Sequence, residues 1–263
     1  MRHLFVITTL FACTLLFVQC SKAREEEKAI APVDANYEDS LKNGLWAYYN
    51  FNNSNYNDLS GKGRHMVGAN GAKFSFDIWG NENNALDLNG VSSYAVIDSG
   101  KLFPDGNFTV SFLMMPRTTY GRPFQKANPN DAKGASFGFG YDDDGFNGNL
   151  VFNVTKDANI CERLTDLSNS TPLNITKRTY PYAWYYVVIQ YIDGVQKVYY
   201  NRTLVGSQTN ATNSFKNCAN APFYLGIWWL GDVHAFNGKI DELRIHTRAI
   251  SEDEIKYLYN KLP

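Results

Sequence analysis

The fold is decided by the stretch Asn237-Gly-Lys-Ile-Asp-Glu-Leu-Arg-Ile-His-Thr-Arg-Ala-Ile-Ser-Glu-Asp-Glu-Ile-Lys-Tyr-Leu-Tyr259. Residues 240–245 alternate in the two-residue period of a β-strand. Ser251 is followed three residues later by Glu254, which is the pattern of a helix capping box. The stretch therefore predicts a final strand that runs into a short C-terminal helix.

Upstream, the chain reads as short alternating runs separated by turn residues, and no helical period occurs between residues 44 and 251. The predicted strands are Leu45–Phe51, Ala85–Leu88, Tyr94–Ile97, Phe108–Met115, Ala135–Tyr141, Leu150–Thr155, Trp184–Ile192, Gln196–Tyr200, Phe223–Trp229 and Lys239–Ile245. Asp193-Gly194 predicts a tight hairpin, because type I′ turns need positive φ at both central residues. The number and spacing of these strands predict an all-β, two-sheet antiparallel sandwich.

The direction of the strands predicts which loops share an end of the sandwich. If the strands from Phe108 onward alternate up and down, segments 116–134, 156–183 and 206–221 lie at one end. The loop after Tyr141, the Asp193-Gly194 turn and the segment 230–234 then lie at the other end.

The N-terminus reads as an export signal. Arg2 and His3 precede the apolar segment Leu4–Val18, which is too short to span a bilayer, and Cys20 follows it closely. This pattern resembles the relaxed signals of Bacteroidetes lipoproteins, with residues 1–20 as signal and Cys20 as the lipidated residue. An ordinary secretory signal with an incidental cysteine is the alternative. Residues 21–40 are polar and lack an apolar period, so they are expected to form a flexible tether before a domain spanning 41–263.

Charge and cysteine content limit the partners. The chain has 25 Lys and Arg against 26 Asp and Glu, a formal net charge of −1. No basic field for nucleic acid follows from this balance. Cys161 and Cys218 remain after the N-terminal cysteines are set aside. In an exported protein, such an isolated pair predicts a disulfide more readily than a metal site.

Several blocks together carry a family resemblance. They are Gly44-Leu-Trp-Ala-Tyr-Tyr-Asn-Phe51, Asp58-Leu-Ser-Gly-Lys-Gly63, Ala85-Leu-Asp-Leu-Asn-Gly-Val-Ser-Ser-Tyr94, the hairpin around Asp193-Gly194 and the C-terminal stretch. The chain resembles the laminin-G-like, concanavalin A-like lectin/glucanase superfamily. The resemblance implies a carbohydrate-facing jelly roll, and leaves the function open because one scaffold hosts many functions.

A structural calcium ion is implied by the same resemblance. Asp58 and Asp241 would supply carboxylate oxygens, and loop carbonyls near Gly63 and His65 would complete a shell of hard oxygen ligands. The alternative is that Asp58 caps its own turn and that Asp241 pairs with Arg244 or Lys239.

The sequence gives little support for a catalytic site. Glycoside hydrolysis needs two carboxyl groups about 5 to 10 Å apart, and the family's Glu-x-Asp-x-x-Glu string does not occur in the sequence. Asp142, Asp143 and Asp144 fall in a turn, and the neighbours Asp241 and Glu242 are expected to face opposite sides of a strand. Neither a zinc-protease motif nor a nucleophile elbow is present.

The aromatic side chains suggest where a sugar would bind. In a strand, only one of the adjacent Trp228 and Trp229 can enter the core, and the other would offer a stacking surface. The flanking candidates are Tyr120, Arg122, Tyr141 and His234. The alternative for each is a side chain covered by a long loop.

The sequence thus predicts a non-catalytic, carbohydrate-binding, surface or periplasmic lipoprotein of a glycan-using bacterium, with the outer membrane or cell surface as its expected location. Its expected ligand is a polysaccharide or oligosaccharide, and protein partners in a glycan-uptake system are a further expectation. The alternatives are a glycoside hydrolase or polysaccharide lyase with a dispersed acid and base, and a protein-binding adhesion module.

Overall fold

A computed structural model describes residues 35–127, 135–141, 149–155, 170–209, 218, 221–228 and 234–263. These residues belong to one compact unit, Ala35–Pro263. Within the described part of the chain, no helix is both long and apolar enough to cross a membrane.

The described elements are two helices, one 3₁₀ turn and fifteen strands. The helices are α1 (Ala35–Lys42) and α2 (Glu252–Asn260), and the 3₁₀ turn is Asp98–Leu102. The strands are β1 (Leu45–Tyr49), β2 (Val67–Ala69), β3 (Lys73–Ser75), β4 (Ala85–Asn89), β5 (Tyr94–Ile97), β6 (Phe108–Pro116), β7 (Phe124–Ala127), β8 (Ala135–Tyr141), β9 (Leu150–Thr155), β10 (Ser170–Ile175), β11 (Tyr185–Ile192), β12 (Val195–Tyr200), β13 (Thr203–Thr209), β14 (Phe223–Leu225) and β15 (Asn237–His246).

The strands form two antiparallel sheets. The first has the order β13-β12-β11-β6-β15-β4-β3, and β1 also pairs with β15, which makes eight described strands. The second has seven described strands in the order β10-β9-β8-β7-β14-β5-β2. The predicted all-β, two-sheet sandwich with a short C-terminal helix is therefore confirmed.

Aromatic side chains from both sheets fill the space between them. Phe108 of the first sheet stacks on Phe137 of the second, with ring centroids 4.2 Å apart, and Phe223 packs against Phe137 at 5.9 Å. These rings belong to one continuous core cluster. The alternation of apolar residues along the strands is the local cause of this core, because every second side chain points into it.

The C-terminal helix covers the outer side of the eight-stranded sheet. Ser251 Oγ accepts the N–H of Glu254, and the Glu254 side chain accepts the N–H of Ser251, which confirms the predicted capping box. Ile255 and Val188 of β11 belong to a second apolar cluster, which also contains Leu41. The strand β11 is consequently buried on both faces.

The predicted tether and the structure differ at its end. The tether is predicted to reach residue 40, whereas α1 starts at Ala35 and its Leu41 joins the cluster under α2. Arg248 fixes this contact, because its guanidinium donates to the Ser40 carbonyl at 2.6 Å and to the Glu254 carboxylate. Burial acts to raise the pKa of Glu254, but hydrogen bonds from Arg248, the Ser40 hydroxyl and the Ser251 N–H lower it to about 2.

Five strands were not predicted from the sequence: β2, β3, β7, β10 and β13. The omission of β7 has the largest consequence, because β7 divides the segment 116–134 that was expected to form one loop. Lys126 explains the omission: a lysine on the inner side of a strand breaks the expected alternation. Its Nζ donates to the carbonyls of Cys218 and Ala221, and burial lowers its pKa to about 7.

The ends of the sandwich are therefore assigned differently from the prediction. Segment 116–134 does not lie as a whole with the Cys218 end, because the N–H of Tyr141 donates to the carbonyl of Gly121 at 3.0 Å. The Asp193-Gly194 turn bonds to Asn107, at the start of β6. Since Tyr182 bonds to Pro116 at the other end of β6, that turn lies away from the Gly121 end.

Cys218 lies beside Lys126 at the other end of β7. The side chain is buried, its N–H donates to Ser136 Oγ at 2.9 Å, and its sulfur is disulfide-bonded. The assignment of Cys161 as its partner concerns a residue outside the described ones, and that pairing stays a prediction.

Candidate functional site

Four of the six predicted ligand-binding residues come together in space. The rings of Tyr120 and His234 stack with centroids 5.3 Å apart. The Trp228 ring meets His234 edge-on at 5.1 Å, and the Arg122 guanidinium lies 5.2 Å from the Trp228 centroid. We call Tyr120, Arg122, Trp228 and His234 the ring cluster.

The backbone around Gly121 positions the ring cluster. Gly121 has a φ of +93°, and a Cβ on it would lie 2.4 Å from the carbonyl oxygen of Ala235. The N–H of Arg122 donates to the carbonyl of His234 at 2.9 Å. The close approach of the two chain segments, which only glycine permits, thus places Tyr120 and Arg122 beside His234.

Gly140 of β8 makes room for the arginine. A Cβ at Gly140 would lie 2.4 Å from Cδ of Arg122. The neighbouring Phe139 points into the core, so Gly140 and Arg122 lie on the outer side of the seven-stranded sheet. The ring cluster is therefore a feature of that outer side, where it meets the loop end of the sandwich.

Exposure differs sharply within the ring cluster. Tyr120 is 40% exposed, whereas Trp228 is 4% exposed and Arg122 is 5% exposed. The tryptophan and arginine thus form a buried support, and the tyrosine, stacked on His234, offers an aromatic surface to solvent. An exposed aromatic face beside polar groups suits the apolar face of a sugar ring.

The tryptophan pair requires a correction. The predicted strand Phe223–Trp229 ends at Leu225, and Gly226 follows with a φ of +93°. The inward and outward alternation argued for Trp228 and Trp229 does not apply beyond that point. Trp228 is buried against Arg122 and His234, outside the main core cluster, and Trp229 lies outside the described residues.

Tyr141 has a different role from the one predicted. Its side chain is buried in the main core, and its hydroxyl lies 2.8 Å from Oγ1 of Thr179. Burial raises the pKa of this phenol above its usual value. Tyr141 therefore contributes its backbone N–H to hold Gly121, and its side chain does not face a ligand.

Sequence reasoning missed Gln125 on β7. It is fully buried, and neither amide atom has a hydrogen-bond partner in the structure as described. Its side chain lies over Gly138, where a Cβ would come within 1.7 Å of Oε1. Tyr224 is its neighbour on β14. In the sequence, Gln125 is marked only by its position next to the apolar Phe124. Because β7 was not predicted as a strand, that position carried no information.

The structure describes only two of the acidic residues considered for catalysis, and it places them differently from the prediction. Asp142, Asp143 and Asp144 lie outside the described residues. Asp241 and Glu242 do not face opposite sides as predicted, because Glu242 has a φ of +50° at a bulge in β15. Ile240 and Leu243 enter the core on either side of this bulge, which leaves both acidic residues on the outer side of the sheet.

The turn around Asp58 does not fit a calcium shell. One carboxylate oxygen accepts the N–H groups of Tyr48 and Ser60, and the other accepts the Ser60 hydroxyl and the N–H of Arg64, at 2.8 to 3.1 Å. His65 accepts the N–H of Asp58 through Nδ1. Gly63 lies in the same turn, which presents N–H donors to the carboxylate, whereas calcium requires oxygen ligands. These contacts correspond to the alternative in which Asp58 caps its own turn.

Asp241, the other predicted calcium ligand, is a buried carboxyl group. Burial, reinforced by the negative charge of Glu242, raises its pKa to about 9. One of its oxygens accepts the N–H of Glu242 at 2.7 Å. Within the described ranges, no group of three or more His, Cys, Asp or Glu side chains is arranged to hold a metal ion.

Replacing Asp58 with asparagine is expected to reduce the free energy of unfolding by about 1–3 kcal/mol, because an amide NH₂ would face backbone donors. We expect the same loss in excess EDTA and in excess calcium, measured by thermal melting in both buffers. If calcium raises the melting temperature of the parent but not of Asp58→Asn, the predicted calcium site is supported instead.

The two antiparallel sheets packed around one aromatic core define a jelly-roll sandwich of the lectin type. The chain belongs to the concanavalin A-like lectin/glucanases superfamily, whose model matches residues 88–256. No curated protein matches the chain in sequence.

Solved structures share the fold. Domain 4 of AbnA, a GH43 extracellular arabinanase from Geobacillus stearothermophilus, was solved in complex with arabinotriose. It is 23% identical with a TM-score of 0.60, over 82% of this chain and 98% of that domain. The botulinum neurotoxin serotype D ligand binding domain in complex with N-acetylneuraminic acid is 14% identical with a TM-score of 0.64, over 86% of this chain. This chain spans about half, 52%, of that toxin domain.

Proposed function

We propose that this domain binds carbohydrate, without cutting it, through the ring cluster. The observation that carries the proposal is the stacked pair of Tyr120 and His234, held over the buried Trp228 and Arg122. The exposed tyrosine face would stack on a sugar ring, and polar groups beside it would bond the hydroxyls. The oligosaccharide and sialic acid complexes of the similar structures support this class of ligand.

We also propose a cellular location for the protein. The sequence of residues 1–20 supports export and lipidation at Cys20, which would leave the domain tethered at a bacterial outer membrane or cell surface. Its ligand would be a polysaccharide or oligosaccharide, passed to protein partners of a glycan-uptake system. Metabolic labelling with a fatty acid, compared between the parent and Cys20→Ala, tests the anchor, and an unlabelled parent would contradict it.

Glycan binding is expected to weaken about tenfold or more in Tyr120→Ala, a loss of about 1.4 kcal/mol or more. Since this side chain is 40% exposed, stability should change by less than about 1 kcal/mol. A glycan array that includes arabinan and sialylated oligosaccharides identifies the ligand, and calorimetry then measures the affinity of both proteins.

Leu102→Ala is the control variant, because Leu102 is 74% exposed and adjoins Phe103, which packs on Phe108 at the opposite end of β6. It should bind like the parent. An unchanged affinity in a folded Tyr120→Ala would remove the ring cluster as the site. Release of sugar fragments by the parent during the same incubations would favour the enzyme alternative.

A further inference from the structure

A cavity of about 270 Å³ lies on the outer side of the eight-stranded sheet, on the opposite sheet from the ring cluster. Besides two leucines near the C-terminus, it is lined by Tyr48, Trp79, Tyr186, Glu242, Arg244 and Lys261. We call it the outer pocket.

The polar part of the outer pocket is organised by three side chains. The Tyr48 hydroxyl donates to the Glu242 carboxylate oxygens at 3.1 and 3.0 Å. Arg244 Nη1 forms an ion pair with Glu242 at 2.6 Å, and its guanidinium lies 3.9 Å from the centroid of the Tyr48 ring. The carboxylate and guanidinium are thus fixed in place before any ligand arrives.

The bulge in β15 creates this arrangement. Between Asp241 and Arg244 the register against β6 shifts, and Glu242 takes a φ of +50°. Residues other than glycine rarely adopt this conformation, and such residues concentrate at functional sites. Bulges beside binding sites turn a side chain away from its regular direction. Here Ile240 and Leu243 both point into the core, so the extra residue of the bulge leaves Asp241 together with Glu242 on the outer side, where Arg244 also lies.

The buried hydroxyl of Tyr186 lies beside the ion pair of Arg244 and Glu242. The phenol oxygen of Tyr186 is buried and makes no hydrogen bond within normal geometry to any residue the structure describes. The Ser111 hydroxyl is close enough to interact with this phenol as a weak hydrogen-bond partner, and the charges of Arg244 and Glu242 also act on it. Buried hydroxyls in native structures are normally hydrogen-bonded, and a bound ligand would supply this phenol with a partner of better geometry than Ser111.

The rim of the outer pocket is aromatic. Trp79 is 42% exposed and lines the cavity. The charges around it are already compensated, since Arg244 is paired with Glu242 and Lys261 with Glu38. A ligand with its own charge would therefore have to disrupt an existing ion pair.

We propose that the outer pocket is a second binding site, for a single neutral sugar ring. Its hydroxyls would donate to Glu242 and accept from Tyr186 and Arg244, and its apolar face would lie on Trp79. The inference concerns the same class of ligand as the ring cluster, but it uses different residues on the opposite sheet. Two sites on opposite faces would let one domain contact two chains of a polysaccharide.

Nuclear magnetic resonance titration tests the site with glucose, galactose, arabinose and, as the charged comparison, N-acetylneuraminic acid. The indole N–H signal of Trp79 is assigned by its absence from Trp79→Ala. We expect at least one neutral sugar to shift this signal saturably, and the acidic sugar to leave it in place. Affinity for that neutral sugar at this site should fall tenfold or more in Glu242→Gln.

Tyr120→Ala separates the outer pocket from the ring cluster, and it should leave the Trp79 titration unchanged. The inference is overturned if no neutral sugar shifts the Trp79 signal, or if a folded Glu242→Gln retains the parent affinity. Loss of the shift in a folded Tyr120→Ala would also overturn it. Tyr48→Phe, which keeps the ring and removes the hydroxyl, replaces Glu242→Gln if that variant does not fold. A Trp79 shift in a protein whose ring cluster fails its own test supports the outer pocket alone.

Discussion

Replacing Gly121 with alanine is expected to lower the free energy of unfolding by about 2–6 kcal/mol. The φ of +93° costs an alanine about 1–3 kcal/mol. The new Cβ would also lie 2.4 to 2.6 Å from backbone atoms of Ala235 and Phe236. Moving that backbone costs about a further 1–3 kcal/mol. Because these segments carry Tyr120 and His234, glycan binding should fall with stability.

Gly61→Ala provides the matched control for this effect. Gly61 also has a positive φ, +78°, but nothing lies within 4 Å of the position of its Cβ. We expect a loss of only about 1–2 kcal/mol from backbone strain and unchanged glycan binding. Chemical denaturation measures both variants, and equal losses would show that the close approach at Gly121 carries no extra cost.

Truncation of Trp228 to alanine is expected to cost about 3–5 kcal/mol, because the ring is 4% exposed and leaves a cavity. It also removes the surface against which Arg122 and His234 pack. We expect glycan affinity to fall with it, since Tyr120 stacks on His234, and His234 packs against Trp228.

Trp228→Phe tests whether the loss of glycan affinity comes from the missing aromatic ring or from unfolding of the domain. It keeps an aromatic ring beneath His234 and should fold at ordinary temperature, with a smaller loss of stability than alanine. If the cluster acts as proposed, its glycan affinity lies between that of the parent and that of the alanine variant. Parent-like affinity in a folded Trp228→Ala would show that this ring supports no binding surface.

The sequence by itself determined the sandwich, because the signals that specify it are local. Alternating side chains set the inner face of strands such as Phe108–Pro116, and the capping box started α2 at the expected place. The hairpin turn followed from Asp193-Gly194, and both residues have the positive φ that such a turn requires. The resemblance in these blocks also gave the family correctly.

The tertiary structure decided the candidate sites. The pattern could not reveal β7, since Lys126 points inward, where the carbonyls of Cys218 and Ala221 accept hydrogen bonds from its Nζ. It could not anticipate the end of β14 at Leu225 or the bulge at Glu242. Periodicity reports which side a residue faces within its own strand. The meeting of Tyr120 with His234, and of Tyr48 with Glu242, depends on contacts between segments far apart in the chain, and packing alone sets those contacts.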